Sequence, residues 1–155
     1  MRLSAKVDYA VRATLVLADA WGEGPVKAGT IAHSQRIPIR FLENILMDLR
    51  RAGLVRSRRG ADGGYELARA PGEITIADVM RVEQGNLADI HGDRPEDVDY
   101  DEAAEHLRDV WVAARSAYRA VLEQVTLADV VGGELPRQVA ALADDADAWR
   151  SWPQR

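Results

Sequence analysis

The sequence of 155 residues contains no cysteine, and this absence excludes several kinds of chemistry. Without thiols the chain cannot form a disulfide bond or use a cysteine nucleophile. It also lacks the thiolate ligands that hold structural zinc ions and iron–sulfur clusters. Neither a disulfide-stabilised fold nor a conventional cluster-based sensor is therefore expected.

Long apolar runs are missing as well. No segment approaches the ~20 consecutive apolar residues of a membrane-spanning helix. The opening residues, MRLSAK, do not contain the apolar core of a signal peptide. Hydrophobic residues make up 47% of the chain and charged residues 29%, which is typical of a globular domain. We expect a cytoplasmic protein with no membrane partner.

Basic residues are in the minority overall, and the net charge of −5 at first argues against a nucleic-acid partner. The charge is uneven, however. Residues 1–85 contain 13 Lys and Arg against 10 Asp and Glu, a net of +3, whereas residues 86–155 contain 7 against 15, a net of −8. Such asymmetry predicts a nucleic-acid-binding face in the first half. Five arginines there fall within ten residues that include no acid: Arg50, Arg51, Arg56, Arg58 and Arg59.

The order of predicted elements in the first half is typical of a winged helix. Apolar residues at helical spacing predict three helices, and two short extended segments flank a glycine-rich turn, which predicts a β-hairpin. A further short helix begins at Thr75, with Asp78 at capping-box spacing. We expect a mainly α fold with a small hairpin wing. The predicted helices span residues 4–21, 27–35, 38–52 and 75–83, and the hairpin strands span 54–58 and 65–67.

The second half is dominated by one long predicted helix. It is expected to begin near Tyr100, with Asp99 and Glu102 as a capping pair. Its heptad seam packs either on its own domain or on a symmetry mate, and its length favours a dimer. We therefore divide the chain into a DNA-binding domain (1–85), a linker or effector loop (86–99) and a dimerisation helix with tail (100–155). The seam residues assigned to dimerisation are Leu107, Trp111, Ala114, Tyr118, Val121 and Val125.

Four segments resemble the Rrf2 family of bacterial winged-helix transcription regulators, which includes IscR, NsrR and CymR. They are MRLSAKVDYAVRATLVLA, FLENILMDLRRAGLV, RSRRGADGGYELAR and VTLADVV, and the resemblance runs from Met1 to about Val131. It implies a homodimer that binds double-stranded DNA at a near-palindromic operator, acting as a repressor.

The resemblance also implies which residues contact DNA. The first helix would approach phosphates, the exposed start of the third helix would read bases in the major groove, and the wing would enter the minor groove. In this arrangement Glu43 would accept a hydrogen bond from cytosine and Asn44 would pair with adenine. The implied residues are Ser4, Lys6, Tyr9, Arg40, Phe41, Glu43, Asn44, Arg50, Arg58, Arg59 and Gly60.

The chain departs from the cluster-binding members of this family, which place three cysteines before the dimer helix. It is more similar to the cluster-free, CymR-like branch, so we expect no cofactor and regulation by a small metabolite or a protein co-regulator. A rival interpretation is a divalent-cation site in the acidic segment, with His91 and His106 nearby. The acids concerned are Asp93, Glu96, Asp97, Asp99, Asp101, Glu102 and Glu105.

Other functions are less well supported by the residues. The segment from Gly60 to Gly64 lacks the GK[ST] sequence of a phosphate-binding loop, and no catalytic constellation is suggested by spacing, so we expect no enzyme. The alternative to a regulator is a winged-helix dimer that acts as a protein-interaction module or as a metal or metabolite sensor with weak DNA binding. The operator, the regulated genes and the inducing signal stay open.

Overall fold

The computed structural model describes residues 3–150. Residues 1–2 of the predicted DNA-binding domain and residues 151–155 of the predicted tail lie outside the described part. The order of elements is the one expected for a winged helix followed by a helical extension. The elements are α1 (Ala5–Asp19), α2 (Ala28–Gln35), α3 (Ile39–Arg51), β1 (Val55–Arg58), β2 (Gly64–Leu67), α4 (Ile76–Gln84), α5 (Leu107–Leu122), α6 (Leu127–Gly132) and α7 (Arg137–Asp144).

The main core lies beneath the three helices of the first half. Ser4 caps α1, and its hydroxyl accepts a hydrogen bond from the Val7 amide. The apolar face of α1 then meets α2 and α3, and burial of such side chains contributes roughly 1.5–3 kcal/mol each. The larger fully buried side chains of this core include Leu17, Ile31, Leu42, Ile45, Leu46 and Leu49.

The apolar periodicity of α3 predicts that its first residue, Ile39, is buried, and this prediction is wrong. Ile39 fits the apolar periodicity, but its side chain is 43% exposed. It immediately follows Pro38, the residue at the start of the helix, where the chain turns out of the preceding loop. The helix therefore begins outside the core and presents its first turn to solvent.

The wing is an antiparallel hairpin whose register pairs Val55 with Leu67 and Arg58 with Gly64. A third segment joins it, since Val26 and Tyr65 exchange two backbone hydrogen bonds of 2.8 Å. Glycine is required at this junction, because a Cβ on Gly64 would lie 2.5 Å from the Val26 carbonyl oxygen. The GGY sequence thus fixes the wing against the loop before α2.

Helix α4 begins as expected, because Thr75 and Asp78 form a reciprocal capping box.

Helix α5 does not begin where the sequence predicts. A short 3-10 turn occupies residues 102–104, Glu102 has a φ of 50°, and α5 starts only at Leu107. The expected capping pair of Asp99 and Glu102 is therefore wrong, and the helix of 16 residues is shorter than the predicted helix, which began near Tyr100 and carried the seam to Val125.

The chain returns to the first half after α5. The Ile76 amide donates to the Val125 carbonyl at 2.9 Å, and the Leu127 amide donates to the Ile74 carbonyl at the same distance. Leu127 is fully buried in the main core, and Val125 is 7% exposed. The assignment of Val125 to a dimer seam is therefore wrong, since its side chain is used inside its own chain.

Among the described residues, no helix has the length and apolar character needed to span a membrane.

Candidate DNA-binding surface

The exposed face of α3 carries the side chains that the sequence assigns to base contacts. Arg40, Glu43 and Asn44 are all exposed. Their spacing of three and four residues places them on one side of the helix, opposite the buried leucines and isoleucine. Arg40 has no ion-pair partner among residues 3–150. The exposed face of α3 therefore presents both hydrogen-bond donors and hydrogen-bond acceptors.

Tyr9 and Phe41 contact each other rather than standing free. Their ring centroids are 5.7 Å apart in an edge-to-face arrangement, which joins α1 to the first turn of α3. The Arg12 guanidinium lies 4.9 Å from the Tyr9 ring centroid and donates a 2.9 Å hydrogen bond to the Gln35 carbonyl. Phe41 remains 41% exposed, so it packs and also faces solvent.

The end of α3 is linked directly to the wing. The Arg50 guanidinium donates a hydrogen bond of 3.3 Å to the Ser57 hydroxyl on β1. This contact makes one continuous surface of the two elements. We call it the arginine surface and define it by Arg40, Arg50, Arg51, Arg56, Arg58 and Arg59, all of which are exposed.

Two of these arginines have acidic partners that lie outside the acid-free segment 50–59. Arg56 pairs across the hairpin with Glu66 at 3.0 Å, and Arg51 lies 3.5 Å from Asp48. The lack of acids in the segment 50–59 therefore does not leave all of its arginines without partners. Arg58 and Arg59, at the tip of the wing, have no ion-pair partner in the described part of the chain.

The tip itself has the backbone that a tight turn requires. Gly60 has a φ of 108°, and its carbonyl accepts a 3.0 Å hydrogen bond from the Gly63 amide. Positive φ of this kind strongly favours glycine. The turn holds Arg58 and Arg59 at the far end of the hairpin, away from the core.

The residues assigned to phosphate contacts on α1 have roles within the chain. Ser4 is the cap of the helix. The Lys6 ammonium lies 2.8 Å from Asp48 on α3 and 2.6 Å from Glu83 on α4. The hydrogen bond that Lys6 donates to Asp48 is the main cause of its raised pKa, followed by the one that it donates to Glu83.

The sequence patterns do not identify one exposed residue beside the arginine surface. Arg36 ends α2 in the left-handed conformation, with a φ of 54°, in the turn that leads into α3. The sequence SQRIP contains no glycine or asparagine to signal such a turn, although Pro38 marks the helix that follows. Its position adds a further cation to the approach to α3.

Helix α5 is only partly covered. Tyr118 and Leu122 pack against a small second core within the same chain. This core consists of Val7, Ala77, Met80 and Leu87. The apolar residues beside them remain open: Val110 is 55% and Trp111 41% exposed. Helical geometry continues this open stripe through further small or apolar positions, namely Ala113, Ala114, Ala117 and Val121.

The acidic segment does not assemble into a metal site. In the described part of the chain, no three histidine or acidic side chains converge in a way that could hold a metal ion. Glu96 instead pairs with Arg94 and Arg115. Its pKa is lowered to about 2, first by a hydrogen bond from its own backbone amide and then by these two guanidinium groups.

Comparison with known proteins agrees with this architecture. Residues 3–133 match the Rrf2 family, described as iron-dependent transcriptional regulators. The chain is 51% identical over 151 residues to the HTH-type transcriptional regulator Rv1287 of Mycobacterium tuberculosis, covering 97% of this chain and 94% of that protein. It is 36% identical over 130 residues to CymR of Bacillus subtilis, covering 84% and 89%.

Solved structures show the same fold. The structure of CymR, the global cysteine regulator of B. subtilis, superposes with a TM-score of 0.75 at 34% identity and covers 86% of this chain and 98% of that one. IscR of T. potens superposes with a TM-score of 0.69 at 34% identity, covering 99% and 94%. The iron in the family description does not fit the residues present here, because the sequence has no cysteine and residues 3–150 offer no convergent set of other ligands.

Proposed function

The chain belongs to the Rrf2 family of DNA-binding transcriptional regulators, and from this premise we propose that it is a cytoplasmic repressor that binds a near-palindromic operator as a homodimer without an iron–sulfur cluster. The observation that carries this proposal is the contact between Arg50 and Ser57, which makes the arginine surface continuous from α3 to the wing. A continuous basic surface of this kind can follow the phosphates on either side of a groove.

The parts of the arginine surface, together with Glu43 and Asn44 beside Arg40 on α3, have separate roles in this proposal. Arg40, Glu43 and Asn44 read base edges in the major groove, where cytosine offers a donor to Glu43 and adenine offers a matched donor and acceptor to Asn44. Arg50 holds a phosphate. Arg58 and Arg59, unpaired at the wing tip within the described residues, enter the minor groove, whose negative potential is greatest where it is narrow.

The open stripe of α5 is the proposed dimer contact. Two copies related by a two-fold axis would cover the exposed faces of Val110 and Trp111 and bring the small residues Ala113 and Ala117 together. A two-fold dimer places its two α3 helices on half-sites about one DNA turn apart, which is why the operator would be a near-palindrome.

Light scattering on two matched variants tests the dimer. Val110→Glu puts a charge into the stripe, and we expect monomers. Ser116→Glu puts the same charge about 120° around α5 from Val110, outside the open stripe, and we expect the dimer of the unmodified chain. A dimeric Val110→Glu protein would remove α5 from the contact.

A selection from randomised double-stranded DNA with the purified full chain tests operator binding. We expect enrichment of a near-palindrome with half-sites one turn apart. Enrichment of no sequence would instead favour the protein-interaction module. Transcription in vitro from a promoter that contains the selected site then tests repression, and increased transcript would overturn that part of the proposal.

A further inference from the structure

Two adjoining cavities lie between the end of α4, the segment 86–96 and the edge of α5 beside the open stripe, with which the larger cavity shares Trp111 and Ala114. The larger has a volume of about 480 Å³ and the smaller about 260 Å³. Both are lined by Arg115 and by residues 86–88, so they adjoin each other. The larger is within the range of small-molecule sites, which is roughly 300–1,000 Å³.

The larger cavity has mainly apolar walls. Trp111 and Tyr118 of α5 face Leu87 and Ile90 of the loop, and Gln84 adds an amide from the last turn of α4. One acid, Asp89, is also present, and its carboxylate accepts a 3.2 Å hydrogen bond from the Gly92 amide. This end is suited to an apolar or aromatic body with few polar groups.

The smaller cavity is rich in arginine. Its lining includes four guanidinium groups and a single carboxylate, that of Glu96. Arg94 and Arg115 share Glu96, while Arg81 and Arg119 share Glu123. Two further carboxylates are more distant: Asp97 lies 3.8 Å from Arg94, and Asp78 lies 3.9 Å from Arg81. Since each guanidinium has five N–H donors, shared carboxylates leave donors available to another anion.

We propose that these two cavities form one effector site for a small organic anion, with its carboxylate or phosphate on Arg115 and the neighbouring arginines and its apolar body between Trp111 and Tyr118. The Arg115 side chain, at 16% exposure, stands between the two cavities. Partial desolvation strengthens its pairing with an anion.

The site is also placed to influence DNA binding, which is the part of this inference that rests on the proposed function. Gln84 lines the larger cavity, and the preceding residue, Glu83, pairs with Lys6. Lys6 in turn pairs with Asp48 on α3. A ligand that moves the end of α4 would therefore act on the helix that carries Arg40 and Asn44.

Calorimetric titration without DNA tests the site. The probes are phenylacetate, indole-3-acetate and 4-methylpentanoate, with phenylacetamide as the neutral match of the first and acetate as the anion without a body. We expect saturable binding of at least one of the three acids, and binding weaker by about tenfold or more for phenylacetamide and acetate. No saturable binding of any of the three at millimolar concentration would overturn the site, and equal binding of acetate would overturn the role of the apolar cavity.

Variants of the residues that line the cavities show where the acid binds. Arg115→Ala should weaken the bound acid by about tenfold or more, whereas Arg108→Ala, an exposed arginine of the same helix outside both cavities, should not. Ala88→Phe adds a ring to the lining of both cavities, keeps every arginine and lies outside the open stripe of α5, so it should also weaken binding. Unchanged affinity in both Arg115→Ala and Ala88→Phe would place the acid elsewhere.

The regulatory part is tested with the selected operator. We expect the bound acid to change the Kd for DNA by about fivefold or more. An acid that binds to the cavities without changing the DNA affinity would overturn the effector role. Failure to select any operator would count against the proposed function but would leave the calorimetric result intact.

Discussion

The Nζ atom of Lys6 lies 2.6 Å from the Oε2 atom of Glu83, whose side chain is completely buried. Burial raises the pKa of Glu83, and the charge of Lys6 opposes that shift. The same ammonium reaches Asp48 at 2.8 Å, so one lysine on α1 holds together α3 and α4. The core around these helices is apolar, and this ion pair is the polar link between them.

Lys6→Met should destabilise the protein in a pH-dependent way. It leaves the buried Glu83 carboxylate without its partner, which raises the pKa of Glu83 further. A raised pKa in the folded state means that stability is present at low pH, where Glu83 is protonated, and is lost as the pH rises through that pKa. Because Lys6 is more than one-third exposed, we expect a loss of about 1–3 kcal/mol near neutral pH rather than the full cost for a buried pair.

Urea denaturation at several pH values measures this loss. Addition of Glu83→Gln to the Lys6→Met chain should restore most of the stability near neutral pH, since no buried charge is then left. Equal destabilisation by Lys6→Met at acid and neutral pH would show that the ion pair is not the cause.

The contribution of Glu96 to folding stability should depend on pH in the opposite sense to that of Glu83. The Glu96 pKa of about 2 is well below the ordinary value of 4.5, so its contribution to stability is present above pH 4.5 and is lost as the pH falls towards 2. Glu96→Gln should therefore weaken the acid dependence of unfolding, followed by tryptophan fluorescence. Asp97→Asn, in the same short 3-10 turn (Pro95–Asp97) and 60% exposed, is the matched control and should leave that dependence almost unchanged.

Arg59→Ala should weaken operator binding by about 1–3 kcal/mol and reduce the preference for a narrow minor groove. The reason is that Arg59 has no ion-pair partner among residues 3–150 and lies at the wing tip, so its charge is available to DNA. Fluorescence anisotropy at one fixed salt concentration measures the affinity for the selected site and for a variant with a wider groove. Arg137→Ala, an exposed arginine on α7, is the control. An unchanged affinity for both DNAs would contradict the assignment of the wing.

Local signals in the sequence were sufficient for most of the first half. The Ser4 cap and the Thr75–Asp78 capping box are short-range features, and both are present in the structure. The start of α5 was placed too early because the spacing of apolar residues continues back to Tyr100, whereas Glu102 leaves the helical region. Apolar spacing alone does not reveal such a break.

Contacts between distant segments could not be read from local patterns. Arg56 meets Glu66 only because the hairpin register pairs them, and Val125 is buried only because its backbone meets Ile76. The pairing of Lys6 with Glu83 depends on how α1 and α4 pack. In each case the residue type was visible in the sequence, but its partner was fixed by tertiary structure.

Gly64→Ala should separate the wing from the loop before α2. The added Cβ would lie 2.5 Å from the Val26 carbonyl oxygen and 2.7 Å from the Val26 carbonyl carbon, and backbone atoms cannot rotate away as a side chain can. Val26 and Tyr65 would have to move apart, at the cost of their two hydrogen bonds of 2.8 Å. We expect a loss of about 1–3 kcal/mol, as for other overpacked positions.

Thermal unfolding and operator binding should both report this change, because a displaced wing carries Arg58 and Arg59 away from α3. Gly72→Ala is the matched control: nothing lies within 4 Å of its added Cβ, and we expect almost unchanged stability and affinity. If Gly64→Ala lowered stability while leaving the DNA affinity intact, the docked position of the wing would matter for folding alone, and the minor-groove contact would have to come from another part of the arginine surface.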